Sequence, residues 1–340
     1  YTKINKCFPL IMKFLITGGA GYIGSHMVKH LLDEGYEVAV LDNLSTGHRL
    51  LINNCEHIDV DITNLEDLRN KLKNKKFEAV FHFAGKSIVS ESLDMPDYYY
   101  LNNVIGTKNL INCMLENGTN YLIYSSSASI FGNTSKIKID EDSLKNPVSP
   151  YGKSKLETEK IIKSYCETKS LNAVCLRYFN AAGAHSSGRI GELRSIETHL
   201  IPRIINSILY ENKHFIVFGN DYDTPDGTCV RDYIHVSDLA DAHIKSYSNL
   251  LINSGYHEYN LGHQSGYSVL EVISAIEKYI DRKINYKFGK RRIGDPDYLI
   301  ANSRKAFNEL KWNTKMSDLQ TIIKSAWKWH SYIFEKKFQK

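Results

Sequence analysis

Residues 13–24 read Lys-Phe-Leu-Ile-Thr-Gly-Gly-Ala-Gly-Tyr-Ile-Gly, an apolar run that passes directly into spaced glycines. The run predicts a buried strand, and a helix is predicted to begin near Tyr22. Between the two, Gly18, Gly21 and Gly24 form the pattern G-x-x-G-x-x-G. Such glycines permit a tight turn, a close approach of the backbone to a pyrophosphate, and close packing of the helix on the strand. Because the following helix N-terminus offers free N–H groups to an anion, the stretch predicts a dinucleotide-binding turn.

The rest of the first half repeats this alternation of strand and helix. Strands are predicted at 13–17, 37–41, 78–83, 121–125 and 173–177, with helices at 64–73, 97–117 and 151–169. This rhythm predicts a parallel sheet covered by helices on both faces. It loosens after about residue 180, where helices are predicted at 197–210, 237–250, 268–280 and 316–335.

We therefore predict an α/β protein with two parts. A Rossmann-type, doubly wound parallel sheet spans residues 12–180, and segments from about 230–262 return to it. A smaller C-terminal α/β lobe, mainly 181–335, binds the substrate, and residues 1–11 are an extension.

Composition and charge argue against several classes of protein. The chain has 340 residues, is 42% hydrophobic, and spreads a net charge of +5 along its length. No apolar stretch approaches the ~20 residues of a membrane span, and the charge is too weak to indicate a nucleic-acid-binding surface. The six cysteines lack metal-ligand spacing, which favours reduced core thiols, no metal site and a cytoplasmic protein.

Acidic residues follow two of the short apolar runs. Asp42 stands roughly 20 residues past the glycine turn, where a carboxylate hydrogen-bonds the adenosine ribose of a dinucleotide. An acid there repels a 2′-phosphate, so Asp42 favours NAD over NADP. Asp61 follows another short strand and could receive the adenine amino group. Taken alone, Asp42 would be better interpreted as a loop aspartate that caps a helix.

The pattern Tyr-x-x-x-Lys occurs at five places, so position has to decide between them. The pairs are Tyr151/Lys155, Tyr165/Lys169, Tyr279/Lys283, Tyr286/Lys290 and Tyr332/Lys336. Only the first opens a helix that follows a strand ending at Ser127, and its two members share one helix face. Because the carboxyl ends of parallel strands line the ligand crevice, we expect Ser127, Tyr151 and Lys155 to converge there.

The chemistry requires these residue types. A free tyrosine has a pKa of about 10, and a nearby ammonium group and a positive nicotinamide ring would favour its phenolate. The phenolate of Tyr151 could take a hydroxyl proton while hydride leaves the same carbon, and Ser127 could hydrogen-bond the reacting oxygen. The alternative is that Tyr151 and Lys155 are surface helix residues.

Longer motifs carry a resemblance. They include Thr17-Gly-Gly-Ala-Gly-Tyr-Ile-Gly-Ser-His26, Ser149-Pro-Tyr-Gly-Lys-Ser-Lys155, Asp226-Gly-Thr-Cys-Val-Arg-Asp-Tyr-Ile-His-Val236 and Arg291-Arg-Ile-Gly-Asp295. On these stretches the sequence resembles the UDP-glucose 4-epimerases, an NAD-dependent epimerase family of the extended short-chain dehydrogenase/reductase superfamily. The motifs run in family order across nearly the whole chain.

The resemblance implies a role for each matching residue. Tyr151, Lys155 and Ser127 would be catalytic, with Ser127 and Tyr151 on the sugar. The NAD ligands would be Gly18, Gly21, Tyr22, Ile23, Gly24, Asp42, Asn43, Asp61, Ile62, Phe83, Ala84, Gly85, Asn102, Lys155 and Phe179. The UDP part would be held by Asn180, Leu200, Phe218, Arg231, Tyr233, Arg292 and Asp295.

Four positions depart from the family pattern or bear on specificity. Lys86 comes one residue before the place of a common family lysine, and Ser87 fills that place, so Lys86 is not expected to bind NAD. His199 stands where some members have asparagine beside the sugar nucleotide. Leu299 takes a position whose size affects acceptance of N-acetylated sugars.

The activity implied by the resemblance is interconversion of UDP-glucose and UDP-galactose, which serves galactose metabolism. Hydride would pass from C4 of the sugar to tightly bound NAD and return to the opposite face of a 4-keto intermediate. The implied assembly is a homodimer formed through the helices near 97–117 and 151–169. UDP-N-acetylglucosamine 4-epimerase activity is an alternative. A sugar-nucleotide 4,6-dehydratase is less favoured because Ala128 and Ser129, not a carboxylate, follow Ser127.

Two further alternatives are a simple NAD dehydrogenase and a catalytically inactive NAD sensor. The dehydrogenase would consume added NAD⁺ stoichiometrically, whereas an epimerase shows no net reduction. The sensor is disfavoured because Tyr151 and Lys155 are both present.

Overall fold

The computed structural model describes residues 12–52, 55–134, 136–211, 215–292 and 294–338. The predicted extension, 1–11, lies outside the described residues. The strands are β1 (Lys13–Thr17), β2 (Glu37–Leu41), β3 (Glu56–Ile58), β4 (Val80–His82), β5 (Tyr121–Ser127), β6 (Lys138–Ile139), β7 (Asn172–Tyr178), β8 (Asn180–Ala182), β9 (Phe215–Phe218), β10 (Val230–His235), β11 (Tyr256–Leu261), β12 (Gly266–Ser268), β13 (Tyr286–Gly289) and β14 (Tyr298–Ala301).

The α-helices alternate with these strands through the first half of the chain. They are α1 (Tyr22–Asp33), α2 (Leu65–Leu72), α3 (Val89–Asp94), α4 (Pro96–Tyr100), α5 (Gly106–Glu116), α6 (Pro150–Thr168), α7 (Leu200–Leu209), α8 (Val236–Leu250), α9 (Val269–Ile280), α10 (Arg304–Leu310) and α11 (Leu319–Phe338). Within the described ranges, no helix combines the length and apolarity needed to cross a bilayer.

Seven parallel strands form the central sheet, in the spatial order β3-β2-β1-β4-β5-β7-β11. The order reverses at β1, because the chain moves outward first to β2 and β3 and then crosses to β4. Thr17 pairs with Leu41 on one side and with His82 on the other, so three strand ends meet at one edge. In this architecture, a doubly wound Rossmann-type sheet, ligands bind at that carboxyl edge beside the reversal. The predicted fold class is confirmed.

Apolar residues of the strands alternate between the two faces of the sheet. Phe14 packs with Met27 of α1 and Leu239 of α8 on one face. Leu15, its neighbour, packs with Leu110 of α5 on the other face, where α2 and α6 also lie. Because each fully buried side chain of this size contributes about 1.5–3 kcal/mol, the two apolar layers hold the sheet and its turns in place.

The later part of the chain builds smaller sheets beside the first. β12, β10, β14 and β6 lie in that order, with β8 on β10, and β13 pairs with β9. Helices α7, α9 and α11 share an apolar cluster with these strands, around Ile204, Ile273 and Ile322. The chain therefore crosses repeatedly between the central sheet and this second group, since β11 belongs to the first and β10 to the second.

Most predicted elements are present, with ends shifted by a few residues. The clearest difference is the predicted helix 97–117, which is α4 and α5 joined by a π-helical turn at Leu101–Ile105. A π turn inserts a residue into the helix and re-aims the side chains around it, and such turns are frequent at functional sites. Periodicity does not reveal one, because the apolar pattern continues on either side.

Candidate active site

One cavity of about 1360 Å³ opens at the carboxyl edge of the central sheet and continues toward α7, β9 and β10. Every site residue expected from the sequence lines it, although these residues are spread from Gly18 to Asp295. The fold thus brings together the glycine turn, the Tyr151 helix and the arginines of the second group of strands.

The glycine turn forms one wall of the cavity. Gly18 has φ +67°, and a Cβ there would stand 2.5 Å from the backbone nitrogen of Ala84. A Cβ on Gly24 would lie 2.2 Å from the Gly18 carbonyl oxygen, so the helix can approach the strand only without a side chain. Gly21 precedes α1, and no side chain caps that helix. Its first N–H groups therefore remain available to an anion, which fits a dinucleotide pyrophosphate.

Acidic residues at the ends of β2 and β3 continue this wall. Asp42 is buried and accepts hydrogen bonds from the backbone nitrogens of Ala20 (2.9 Å) and Leu44 (2.8 Å). Burial raises the pKa of Asp42, while these two hydrogen bonds lower it. Asn43 donates to the carboxylate of Asp61 at 2.9 Å. The aspartate considered above as a possible helix cap instead fixes the glycine loop, and both acids face the cavity.

The expected catalytic residues meet at the end of β5. Ser149 caps α6 by accepting from the nitrogen of Gly152 at 3.1 Å, and the helix then turns Tyr151 and Lys155 inward. Both are nearly buried, with 9% and 5% of their surface exposed, and the Lys155 Nζ donates to the carbonyl oxygen of Ser125 at 2.8 Å. The interpretation of Tyr151 and Lys155 as surface residues is therefore wrong.

The other four Tyr-x-x-x-Lys pairs are not among the residues that line the cavity. Tyr165 donates to the Asn112 side chain at 2.9 Å, and Tyr279 is 45% exposed. Position relative to a strand end, rather than the pattern itself, therefore separates Tyr151 from its four matches.

The electrostatic environment of Tyr151 differs from the expectation that a neighbouring ammonium group lowers the pKa of the phenol. Burial raises the pKa of the phenol, while a hydrogen bond with Ser127 and the charge of Arg194 lower it. Burial also lowers the pKa of Lys155 to about 8, against the charge of Glu159. The Lys155 Nζ lies 4.7 Å from the Tyr124 ring centre and 6.0 Å from that of Tyr151. Lowering of the Tyr151 pKa by Lys155 and a nicotinamide stays a prediction for the liganded protein.

Arginines and aromatic rings form the far end of the cavity. The Arg231 Nη2 donates to Asp295 at 2.6 Å and to the carbonyl oxygen of Pro296 at 2.8 Å. The Arg292 guanidinium lies 4.5 Å from the centre of the Phe218 ring. A guanidinium can give two charge-assisted hydrogen bonds to a phosphate, so this end can hold an anionic ligand.

Several residues that line the cavity or support its lining were missed by reasoning from the sequence. Asn103, in the π turn, ties three segments together: it accepts from the Lys86 nitrogen (2.8 Å) and donates to the Lys86 carbonyl oxygen (3.0 Å) and to Ser154 of α6 (2.9 Å). The Lys86 ammonium lies over Tyr98 at 5.0 Å. Arg203 lines the cavity one helical turn after Leu200. Only its spacing of three from Leu200 could have indicated a shared face.

A charged cluster also borders the cavity in the segment before α7. Glu192 contacts the Arg194 Nε at 2.6 Å and the His199 Nδ1 at 2.8 Å. Arg194, Glu197 and His199 line the cavity. Nothing in the local sequence showed that these side chains would meet.

Known proteins are similar to this chain over most of its length. The sequence profile of the NAD dependent epimerase/dehydratase family matches residues 14–262. A UDP-glucose 4-epimerase from Lactobacillus helveticus is 44% identical over 320 residues, which cover 94% of this chain and 97% of that protein. The chain belongs to the NAD-dependent epimerase/dehydratase family.

Solved structures extend the match to the whole fold of this epimerase-family protein. A UDP-glucose 4-epimerase from Brucella ovis in complex with NAD has a TM-score of 0.89 and 40% identity, covering 93% of this chain and 97% of that one. Another, from Bifidobacterium longum in complex with NAD⁺ and UDP, has a TM-score of 0.88 and 36% identity, covering 94% and 98%. The resemblance seen in the motifs is confirmed.

The family profile stops before one part of the site. Its match ends at residue 262, whereas Arg292 and Asp295 come later. The full-length relatives do cover that region. The similarity to these 4-epimerases therefore extends over the part of the chain that carries Arg292 and Asp295, beyond the range of the family profile.

Proposed function

We propose that this chain is a UDP-glucose 4-epimerase, which interconverts UDP-glucose and UDP-galactose with bound NAD. One observation carries the proposal: a single cavity is lined by the glycine turn, by Tyr151, Lys155 and Ser127, and by Arg231 and Arg292. Those three groups correspond to a dinucleotide, a reacting hydroxyl and a diphosphate. The relatives named above bear the same function in their names.

The cofactor fits the first wall of the cavity. The free N–H groups at the start of α1 would receive the pyrophosphate, and Asp42 the adenosine ribose. Each oxygen of the Asp42 carboxylate accepts one backbone hydrogen bond and keeps capacity for a second. Asp61 would lie beside the adenine, and Lys155 beside the nicotinamide ribose. When bound, NAD accepts a hydride from C4 of the sugar and returns it.

Side chains of the protein would transfer the proton and position the sugar. Tyr151 takes the 4′-hydroxyl proton and gives it back, while Ser127 hydrogen-bonds the same oxygen. In the liganded protein, the ammonium of Lys155 would favour the phenolate. Inversion requires the sugar to turn about its bond to the diphosphate, so the nucleotide must be held firmly while the sugar stays loosely held. Arg231 and Arg292 would supply that hold, because binding energy from a non-reacting part of the substrate can retain the ketone.

Residues of the same cavity bear on two alternative activities. UDP-N-acetylhexosamines would have to fit beside Leu299, which lines the cavity. A 4,6-dehydratase needs an acid next to Ser127, where this chain has Ala128 and Ser129. The epimerase assignment is therefore preferred, and N-acetylated substrates enter as an arm of the test.

The organisation of the protein follows from the same assignment. We propose an NAD-binding part over 12–180, with 230–262 returning to it, and a UDP-sugar-binding part mainly over 181–335. The protein would be cytoplasmic and serve galactose metabolism. A homodimer through the helices near 97–117 and 151–169 is supported by Tyr98, Tyr100 and Leu101, which are 36%, 48% and 44% exposed on the first of them. Sedimentation analysis tests the dimer.

The activity is tested by incubating the purified protein with UDP-galactose and, separately, with UDP-N-acetylgalactosamine. NMR of the sugar reads the configuration at C4. We expect inversion of UDP-galactose without added NAD, and NAD released from the protein by acid. Absence of both would refute the proposal.

Tyr151→Phe tests the proton-transfer role. We expect retention of NAD and a loss of turnover of about 10²–10⁴-fold, the usual contribution of a positioned acid–base group. Tyr279→Phe is the matched control, because that tyrosine also belongs to a Tyr-x-x-x-Lys pair but is 45% exposed and does not line the cavity. Normal turnover by Tyr151→Phe would remove Tyr151 from its role.

A further inference from the structure

Five arginines stand in or beside the far half of the cavity, and they differ in whether a carboxylate neutralises them. Three have partners: Arg194 with Glu192 (2.6 Å), Arg231 with Asp295 (2.6 Å) and Arg291 with Asp297 (2.7 Å). The other two, Arg203 and Arg292, form no ion pair with any residue that the structure describes.

The two unpaired guanidinium groups approach the same aromatic ring. Arg203 lies 5.5 Å from the centre of the Phe218 ring and 5.1 Å from that of Phe215, while Arg292 lies 4.5 Å from Phe218. Such cation–π contacts orient a guanidinium and leave its N–H groups free to bind something else. Arg203, Arg292 and Phe218 all line the cavity.

Holding two like charges together is unfavourable unless an anion joins them. Burial and the charge of Arg292 both lower the pKa of Arg203, which reflects that cost. The charge of Glu197 raises the pKa of Arg203, but among the described residues the two form no ion pair. The site is therefore built with excess positive charge around Phe218.

We propose that Arg203 is a further ligand of the substrate diphosphate, which it binds together with Arg292 beside Phe218. This assignment rests on the proposed function, since it takes a nucleoside diphosphate as the ligand. Arg203 lies outside the sequence motifs that predicted the other site residues. Its position also distinguishes it from a cofactor ligand, because Arg203 contacts the rings of β9 rather than the glycine turn at α1.

Three arginines would then bind the diphosphate of the nucleotide instead of two. Arg231 is fixed by Asp295 and can offer only its remaining N–H groups, whereas Arg203 and Arg292 can each offer a whole fork. A stronger hold suits an epimerase, because the sugar must turn while the diphosphate stays in place.

Calorimetric titration of the NAD-containing protein with UDP, UMP and uridine tests the assignment. We expect Arg203→Met to weaken UDP binding by about tenfold or more, UMP binding by less, and uridine binding by under about twofold, as loss of a charge-assisted phosphate contact requires. The difference for UDP should shrink as salt is raised, because salt screens the charge. Arg304→Met is the control: it removes the same charge from an exposed position outside the cavity and should change none of the three.

Each other outcome decides a separate point. If the unaltered protein does not bind UDP, the proposed function fails. If it binds UDP and Arg203→Met binds equally well, Arg203 is not a diphosphate ligand. If uridine binding weakened as much as UDP binding, the substitution would have disturbed packing against the Phe215 and Phe218 rings and not a phosphate contact. If the variant lost NAD, the guanidinium of Arg203 would bind the cofactor. Either result would overturn the inference. If Arg203→Met does not fold, Arg203→Gln, which also removes the charge but keeps a polar side chain, is titrated instead, and its results are interpreted in the same way.

Discussion

Replacing Glu159 by glutamine should destabilise the protein far more than the same change two residues earlier in the same helix. The Arg177 side chain is fully buried and gives two hydrogen bonds to Glu159, at 3.0 and 2.7 Å. Ser126, next to Ser127, donates to the same carboxylate at 2.5 Å. Glu159 thus joins α6, which carries Tyr151, to the ends of β5 and β7.

The magnitude follows from what remains after the change. Removing one partner of a buried ion pair costs about 3–5 kcal/mol. Arg177 keeps a second carboxylate, Glu258, at 2.6 Å, and that residue is partly exposed. We therefore expect Glu159→Gln to lose about 2–3 kcal/mol of the free energy of unfolding, at or below the lower end of that range.

Glu157→Gln is the matched control. Glu157 pairs with Lys160 at 3.4 Å on the surface of α6, with 43% of its side chain exposed, so its loss should cost about 0–0.5 kcal/mol. Urea unfolding followed by circular dichroism measures both variants, and a shift in midpoint with an unchanged slope reports the free energy. Equal midpoints for the two variants would show that the buried network does not stabilise the fold as argued.

Lys155→Met should retain the fold and lose at least about 10²-fold in turnover, measured by the NMR assay, because the buried ammonium beside the phenol is gone. Asp42→Ala should release NAD on gel filtration, whereas Asp59→Ala, exposed and outside the cavity, should keep it. His199→Gln should show a pH-dependent loss of stability. Burial lowers the pKa of His199, but Glu192 raises it to a net value above 6.5, while the pKa of Glu192 falls from 4.5 to about 2. The ion pair stabilises the fold through both groups. The contribution of His199 to stability is fully present below pH 6.5 and is lost as the pH rises through its raised pKa. The contribution of Glu192 is present above pH 4.5. The difference in melting temperature from the unaltered protein should therefore be largest at roughly pH 5–6 and should shrink as the pH rises above 6.5, and a difference independent of pH would contradict this.

The backbone of the glycine turn that lines the cavity could be predicted from the sequence. An apolar run leading into Gly18, Gly21 and Gly24 restricts the chain locally, since only glycine tolerates the φ of +67° at Gly18 and the close approach at Gly24. The same local rules placed Tyr151 and Lys155 on one face at a helix start. They also separated that pair from four accidental matches, because a strand end lies just before it.

Only the tertiary structure decided which side chains neutralise one another at the other end of the cavity. Arg203 and Arg292 are 89 positions apart in sequence, and they approach Phe218 only because β13 pairs with β9 and α7 packs behind them. Local patterns fix the direction of a side chain along its own helix or strand, but the partner it meets depends on strand order and register set by the whole core. For that reason the sequence determined the fold and the positions of Tyr151 and Lys155, while the tertiary structure alone decided which arginines of the cavity have carboxylate partners.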